Sequence, residues 1–98
     1  MLDYLLSNYK NEDLTIKEIA DQSYISEVYF RRLFKEEYGM SPQKYIINLR
    51  IQNAITLISS GYFSLKEVSS LSGYSDYKYF SVEFKKLVGR SPSQYFVE

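Results

Sequence analysis

Two rows of basic and small side chains recur along the sequence, and their chemistry suits contacts with base edges. The first row has the spacing i, i+3, i+4 and i+7 and consists of Val28, Arg31, Arg32 and Lys35. The second row follows Tyr77 in the same register, fifty residues later, and consists of Lys78, Ser81, Val82 and Lys85. This spacing places each row on one face of a helix. An arginine can donate two hydrogen bonds to guanine O6 and N7, and a valine can contact the thymine methyl group, so the rows indicate binding in a major groove.

A second set of residues suits contacts with phosphate groups. Ser and Asp are favoured N-cap residues, and they predict helix starts at Ser26, Ser41, Asp76 and Ser91. Helix starts present free backbone N–H groups that can bind anions. Lys35 and Lys85 in the two rows could also reach phosphates, and three further cations near these helix starts are Lys44, Lys86 and Arg90.

The composition excludes several other kinds of site. The 98 residues contain no Cys and no His, which removes disulfides, thiolate or imidazole metal sites and His-assisted nucleophiles. No nucleophile motif or phosphate-binding loop is present, so we expect neither an enzyme, nor a cofactor, nor a metal. No apolar run approaches the length of a membrane span, and the N-terminus lacks the features of a signal peptide, so a cytoplasmic protein is expected. The 12 basic and 12 acidic residues give zero net charge, which by itself argues against a nucleic-acid partner.

The chain is two copies of one unit. Residues 24–46 align with residues 74–96 at a constant offset of 50, with nine identical pairs. Upstream, residues 16–19 align with residues 65–68 at offset 49, which places a one-residue insertion near Gly73. On this alignment Tyr24 and Tyr74 are equivalent, and both are expected to pack in a turn. A repeated unit makes two matching basic rows harder to explain as ordinary solvated faces.

Each unit is predicted to be a short helix, a tight turn and a longer helix. Thr15 with Glu18, and Ser64 with Glu67, match the capping box that begins a helix. The longer helices bury one apolar face, and Gly follows each of them as a C-terminal cap. The residues expected on these inner faces are Phe30, Leu33, Phe34, Tyr38, Phe80, Phe84, Leu87 and Val88.

A long helix from Pro42 to about Ser59 is predicted to join the two units, because it is apolar on two sides. Arg50 on this helix could contact a phosphate, but an ion pair with an acid of the first unit is the favoured expectation. An N-terminal helix containing Leu2, Leu5, Leu6 and Tyr9 should cover the first unit. The predicted fold is all-α, with seven helices in two homeodomain-like helix-turn-helix lobes. The expected divisions are residues 1–40 for the first lobe, 41–60 for the linking helix and 61–98 for the second lobe.

The order of these residues resembles the AraC/XylS-type DNA-binding domain. The matching run includes Tyr29-Phe30, Phe34-Lys35, Gly39, Ser41-Pro42 and Tyr45, and the second unit is the more specific part, from Gly73-Tyr74-Ser75-Asp76 to Tyr95. The resemblance implies two helix-turn-helix lobes whose second helices enter adjacent major-groove segments. It implies base contacts by Val28, Arg31, Arg32, Tyr77, Lys78, Ser81 and Val82. Ser69 departs from the usual Ala, and the second row lacks Arg, so the second lobe could bind mainly backbone or recognise DNA shape.

The resemblance also implies the partners. Such domains regulate bacterial transcription, contact RNA polymerase, and sit at the C-terminus of a longer regulator behind a sensor domain or a phosphoacceptor receiver domain. The style of the sequence is similar to that of response-regulator output domains. The isolated domain is expected to be a monomer and the full-length protein a dimer. The alternative is a helical protein-interaction module whose basic faces bind an acidic partner, and the salt dependence of duplex binding separates the two.

Overall fold

The computed structural model describes residues 2–97, with side chains from 2 to 96. This part of the chain contains seven helices and no strand, which confirms the predicted all-α class. The helices are α1 Leu2–Asn8, α2 Ile16–Gln22, α3 Glu27–Tyr38, α4 Pro42–Ser60, α5 Leu65–Leu71, α6 Tyr77–Val88 and α7 Pro92–Val97. The pairs α2–α3 and α5–α6 form the two helix-turn-helix lobes, and α4 joins them. No helix in the described part of the chain is long and apolar enough to cross a lipid bilayer.

The two predicted capping boxes differ in the structure. Ser64 accepts a hydrogen bond from Glu67 N, and the Glu67 carboxylate accepts one from Ser64 N, so the box of α5 is complete. Thr15 likewise accepts from Glu18 N at the start of α2. The Glu18 carboxylate, however, accepts a hydrogen bond from the Tyr4 hydroxyl instead of closing the box. Only half of the first box forms, and the Glu18 carboxylate instead links α2 to α1 through Tyr4.

Each lobe encloses its own apolar core, and the aromatic residues expected inside are there. Phe30 and Phe34 are fully buried in the first lobe, and Phe80 and Phe84 are fully buried in the second. The first core also contains Leu5, Ile16, Ile19, Ala20 and Ile46. The second also contains Ile51, Ala54, Ile58, Val68 and Tyr74. Because burying one Phe stabilises a fold by about 1.5–3 kcal/mol, these rings hold the second helix of each lobe in place.

The long helix α4 contributes to both cores, as its two apolar rows predicted. Ile46 is buried in the first core and Leu49 packs against it. From Ile51 onward the buried residues of α4 face the second core. One continuous helix therefore carries both lobes, with Ile46 and Leu49 against the first core and Ile47 together with the later apolar residues against the second.

The turns of the two lobes align differently from the sequence prediction. Tyr24 has a φ of 59° and is 95% exposed, whereas Tyr74 is buried. The hydrogen bonds show the true register: Ile25 N donates to Ala20 O, and Tyr74 N donates to Ser69 O. Tyr24 is thus equivalent to Gly73, and the extra residue in the second turn is Ser75. The expectation that Tyr24 packs in the turn is wrong, because the identical Tyr pair favoured an alignment that the backbone does not follow.

Three further expectations are corrected. Leu87 and Leu6, expected on inner or covering faces, are 49% and 41% exposed. Arg50 does not take the expected acidic partner, since its guanidinium donates to the main-chain carbonyls of Tyr9 and Asn11. Burial lowers the pKa of the Arg50 guanidinium from its ordinary value.

Candidate nucleic-acid interface

The first basic row (Val28, Arg31, Arg32 and Lys35) lies on the exposed face of α3. All four side chains are exposed, on the side of the helix opposite the buried Phe30 and Phe34. Val28 is 81% exposed, which is unusual for an apolar residue without a partner surface. The N-cap Ser26 begins the helix two residues earlier, so Val28 is near its N-terminal end. This is the part of a second helix that reaches base edges in helix-turn-helix proteins.

Both arginines of the first row are held by neighbours on α3 that the sequence analysis did not single out. Arg31 Nε lies 3.1 Å from Glu27 Oε2, one helical turn away. The Arg32 guanidinium lies over the Tyr29 ring, 5.2 Å from its centroid. The i, i+4 and i, i+3 spacings could have indicated both contacts. An exposed ion pair of this kind contributes well under about 1 kcal/mol, so Glu27 orients Arg31 without immobilising it.

The second basic row (Lys78, Ser81, Val82 and Lys85) is less uniform. Lys78, Val82 and Lys85 are exposed, and Val82 is 49% exposed. Ser81 is half-buried. Tyr77, which precedes the row, is also half-buried and packs on Phe80 with ring centroids 5.9 Å apart. The exposed face of α6 therefore has two cations and one apolar group, while part of the Tyr77 ring packs in the second core.

The four predicted N-caps are in place, but their side chains are used within the helices. Ser26, Ser41, Asp76 and Ser91 each accept a hydrogen bond from a backbone N–H in the first turn. The N–H of Ser91 also donates to Gln94 Oε1, which leaves it engaged. Phosphate contacts at these positions would therefore come from the other backbone N–H groups of each first turn.

The remaining predicted phosphate contacts are mostly exposed cations. Lys44 and Lys85 project from α4 and α6 into solvent. Lys86 Nζ lies 3.8 Å from Glu83 Oε1, and Glu83 is nearly buried. Arg90 is half-buried, with its guanidinium 5.4 Å from the centroid of the Tyr95 ring. Lys85, Lys86 and Arg90 belong to the second lobe and Lys44 to the linking helix α4, and Lys44 and Lys86 lie on the walls of one groove.

The charges of the two exposed faces are unequal. The helix α3 carries three acids and three bases, and its acids Glu36 and Glu37 lie at the C-terminal end, beyond the basic row. The helix α6 carries three bases and one acid. The zero net charge of the chain thus conceals a net charge of +2 on α6, which a net charge of −2 on the residues outside α3 and α6 offsets.

The dimensions of the molecule fit two neighbouring binding sites on a duplex. Its principal-axis extents are 44 × 21 × 21 Å, with one lobe at each end of α4. Successive major-groove segments on one face of B-DNA are about 34 Å apart. The long dimension is therefore sufficient for both second helices to reach adjacent segments of the same face.

Comparison with known proteins places the chain among helix-turn-helix regulators. A family model described as a helix-turn-helix domain matches residues 19–97. The raffinose operon transcriptional regulatory protein RafR of Pediococcus pentosaceus is 34% identical over 94 residues, which are 96% of this chain and 34% of RafR. The probable transcriptional regulator LumQ of Photobacterium leiognathi is 27% identical over 97% of this chain and 38% of its own length. The chain spans about a third of the length of these curated relatives.

Solved structures share the fold over nearly the whole chain. The C-terminal domain of AraT, a response regulator from Geobacillus stearothermophilus, superposes with a TM-score of 0.92 at 33% identity, covering 96% of this chain and 78% of that one. The DNA-binding domain of AdpA, in complex with a target DNA, superposes with a TM-score of 0.91 at 23% identity, covering 98% and 86%. At that lower identity the AdpA likeness shows the fold alone.

Proposed function

The chain belongs to the AraC/XylS-type helix-turn-helix family, and from this premise we propose that it binds specific double-stranded DNA sequences as the DNA-binding part of a bacterial transcription regulator. The observation that carries the proposal is the pair of rows, exposed except for the half-buried Ser81, which occupy the same register on α3 and α6 in two lobes of one repeated unit. A duplex offers equivalent major-groove segments to both rows.

The first lobe supplies the more specific base contacts in this proposal. Arg31 and Arg32 can each donate two hydrogen bonds to a guanine, and the exposed Val28 can pack on a thymine methyl group. The contacts with Glu27 and Tyr29 are exposed and weak, so both guanidinium groups can exchange them for base contacts when DNA binds.

The second lobe makes more backbone contacts and fewer direct base contacts. Its row has no arginine, but Lys78 can donate to a guanine and Val82 can contact a thymine methyl group. Ser81 and Tyr77 complete the base-facing set, although both are half-buried and have less reach. The two additional cations on α6, Lys85 and Lys86, suit phosphates on either side of the groove.

Phosphate contacts position the domain. We assign them to the exposed cations, to the half-buried Arg90 and to the backbone at the helix starts. These residues are Ser26, Lys35, Ser41, Lys44, Asp76, Lys85, Lys86, Arg90 and Ser91. With zero net charge the long-range attraction to DNA is weak, so discrimination rests on the base contacts or on a second copy of the domain.

The proposal extends to the longer protein. Residues 1–40 and 61–98 act as the two DNA-binding lobes and residues 41–60 as the link between them. Because the chain spans about a third of its relatives, we propose that a sensor or receiver domain precedes it in a longer regulator. Contact with RNA polymerase, a monomeric isolated domain and a dimeric full-length protein are parts of the same proposal.

Selection of bound duplexes from a random pool tests the proposed function. The expected result is a bipartite site whose halves are about one helical turn apart, with guanines in the half read by Arg31 and Arg32. The stronger sequence constraint should lie in that half. Recovery of duplexes without a shared sequence, or with binding that does not weaken as salt rises, would overturn the proposal and favour an acidic protein partner.

A further inference from the structure

The side chain of Arg50 lies where the two lobes meet. It projects from α4 towards the loop between α1 and α2, in the first lobe. Its Nε donates to Tyr9 O at 2.6 Å, and its Nη2 donates to Asn11 O at 3.0 Å. Two donors of one planar group thus hold two carbonyls of a loop that is about forty residues away in the sequence.

The same guanidinium contacts the second lobe. It lies 5.6 Å from the centroid of the Tyr74 ring. That ring is buried in the second core, where it packs against Phe80 with centroids 5.3 Å apart. Arg50 therefore bridges a main-chain loop of the first lobe and a core aromatic residue of the second.

The turn of the second lobe approaches the same loop directly. A Cβ atom on Gly73 would lie 2.9 Å from Arg50 Nε, 3.0 Å from Tyr9 O and 3.1 Å from Lys10 O. Only a glycine allows the backbone of this turn to come so close. The α2–α3 turn of the first lobe does not require a glycine for close packing, because its corresponding residue is the exposed Tyr24.

On another side of α4 the lobes are separated by an open groove. Its walls include Met40 and Lys44 from the α3–α4 corner and Glu83 and Leu87 from α6. A lobe held by α4 alone could tilt across this groove, so contacts elsewhere must set the angle between the lobes. One such contact is the Arg50 joint, which we define as Arg50, Gly73, Tyr74 and the carbonyls of residues 9–11.

We propose that Arg50 is a positioning residue that locks the two lobes at one angle and thereby fixes the spacing of DNA half-sites that the protein accepts. This inference rests on the proposed function for its DNA consequence, while the locking itself does not depend on DNA. Two rigidly linked modules gain affinity from each other only when both halves of the site are in the matching geometry. Loss of the joint should therefore weaken and broaden bipartite binding while each half-site contact persists.

The first experiment measures the joint without DNA. The chain contains no Cys, so Glu37→Cys and Ser93→Cys introduce the two labelling sites, one exposed position in each lobe. Pulsed electron spin resonance should give a narrow distance distribution for the protein with Arg50 and a broader one for Arg50→Ala. Lys10→Ala, which removes the same charge from the adjoining loop but keeps its carbonyl, should leave the distribution narrow. Equal widths for Arg50→Ala and its parent would overturn the locking.

The second experiment measures affinity for a selected duplex, for duplexes with the half-sites moved apart or together by one or two base pairs, and for a single half-site. Arg50→Ala should lose about tenfold in affinity at the optimal spacing and retain single-half-site affinity within about twofold. The affinities of Arg50→Ala for duplexes with different half-site spacings should differ less than those of the parent. An unchanged spacing preference would refute the inference about DNA. Absence of duplex binding by the parent would refute the proposed function instead, while the distance measurement would still test the joint.

Circular dichroism checks folding of each variant. If Arg50→Ala does not fold, Arg50→Lys carries the test, because lysine keeps the charge but cannot present two N–H donors in a fixed fork. Arg50→Lys should give an intermediate distance distribution and an intermediate spacing preference. A distribution and spacing preference identical to those of the parent would overturn the role of the two-donor contact.

Discussion

Replacing Ser69 by alanine should stabilise the protein. The Ser69 hydroxyl is buried in α5 and has no hydrogen-bond partner among the described residues. The turn hydrogen bonds show that Ala20 is the equivalent residue of the first lobe, and it is also fully buried. The first lobe thus fills the same position with the residue that has no polar group to satisfy.

The expected magnitude follows from the cost of the buried hydroxyl. An unsatisfied buried polar group costs about 1–3 kcal/mol, and alanine also has a somewhat higher helix propensity than serine. The main-chain carbonyl of Ser69, which accepts from Tyr74 N, is kept in the variant. We therefore expect Ser69→Ala to raise the free energy of unfolding by about 1–3 kcal/mol, and a domain of this size gains about 4–8 °C in Tm per kcal/mol.

Chemical and thermal unfolding measured by circular dichroism test this prediction. Ser70→Ala is the matched control, because Ser70 is on the same helix but exposed, so it isolates the helix propensity from the burial. The converse variant, Ala20→Ser, should lose a similar amount of stability. If Ser69→Ala raises the free energy of unfolding by no more than Ser70→Ala does, the Ser69 hydroxyl has a hydrogen-bond partner in solution and the reasoning is wrong.

Three further predictions concern pH, backbone strain and DNA contacts. Burial raises the pKa of Tyr74 to about 12, so the free energy of unfolding should fall as pH rises from about 10 through 12. Tyr74→Phe should remove the part of this loss that the Tyr74 hydroxyl causes, measured as the free energy of unfolding against pH. Gly39→Ala should cost about 1–2 kcal/mol from its φ of 75° alone, whereas Gly73→Ala should cost more in the same denaturant assay, because its Cβ also meets the Arg50 joint. In duplex-binding titrations Lys85→Ala should weaken binding to all sequences, while Val82→Ala should alter preference at one base position at most.

The sequence was sufficient to predict most of the fold. The aromatic spacing on α3 and α6 and the Ser-Pro helix starts depend on local periodicity and capping, which a sequence displays directly. The capping rules also located Ser64 with Glu67 correctly. Most of the confirmed elements depend on partners within one or two helical turns, whereas the Thr15–Glu18 box forms only in part because Glu18 accepts from Tyr4.

The errors concern contacts between distant parts of the chain. Arg50 binds carbonyls near residue 10, and main-chain acceptors leave no signature in a sequence, so an acid was expected instead. The prediction that Tyr24 is equivalent to Tyr74 was wrong because it followed the identical residue types, whereas the backbone pairs Tyr24 with Gly73. The hydrogen bonds of Ile25 and Tyr74, which show that register, require coordinates.

The candidate interface could be predicted in part. Exposure of the two rows was correct in outline because an amphipathic helix must turn its polar face outward. The half-buried positions of Ser81 and Tyr77 depend on how α6 packs on the second core, which periodicity does not resolve. Glu27 was overlooked as the partner of Arg31, although its spacing was visible.

The central claim is that Arg31 and Arg32 recognise bases, and one measurement tests it most directly. Affinity for the selected duplex and for a scrambled duplex is compared between the parent, Arg31→Ala/Arg32→Ala and Arg31→Lys/Arg32→Lys, with folding checked by circular dichroism. Each bidentate base contact is worth about 1–3 kcal/mol of discrimination, so the alanine pair should lose at least about thirtyfold in the affinity ratio. The lysine pair should keep the salt dependence but lose much of the ratio, because lysine cannot form the bidentate contact. An unchanged ratio in the alanine pair would contradict the claim.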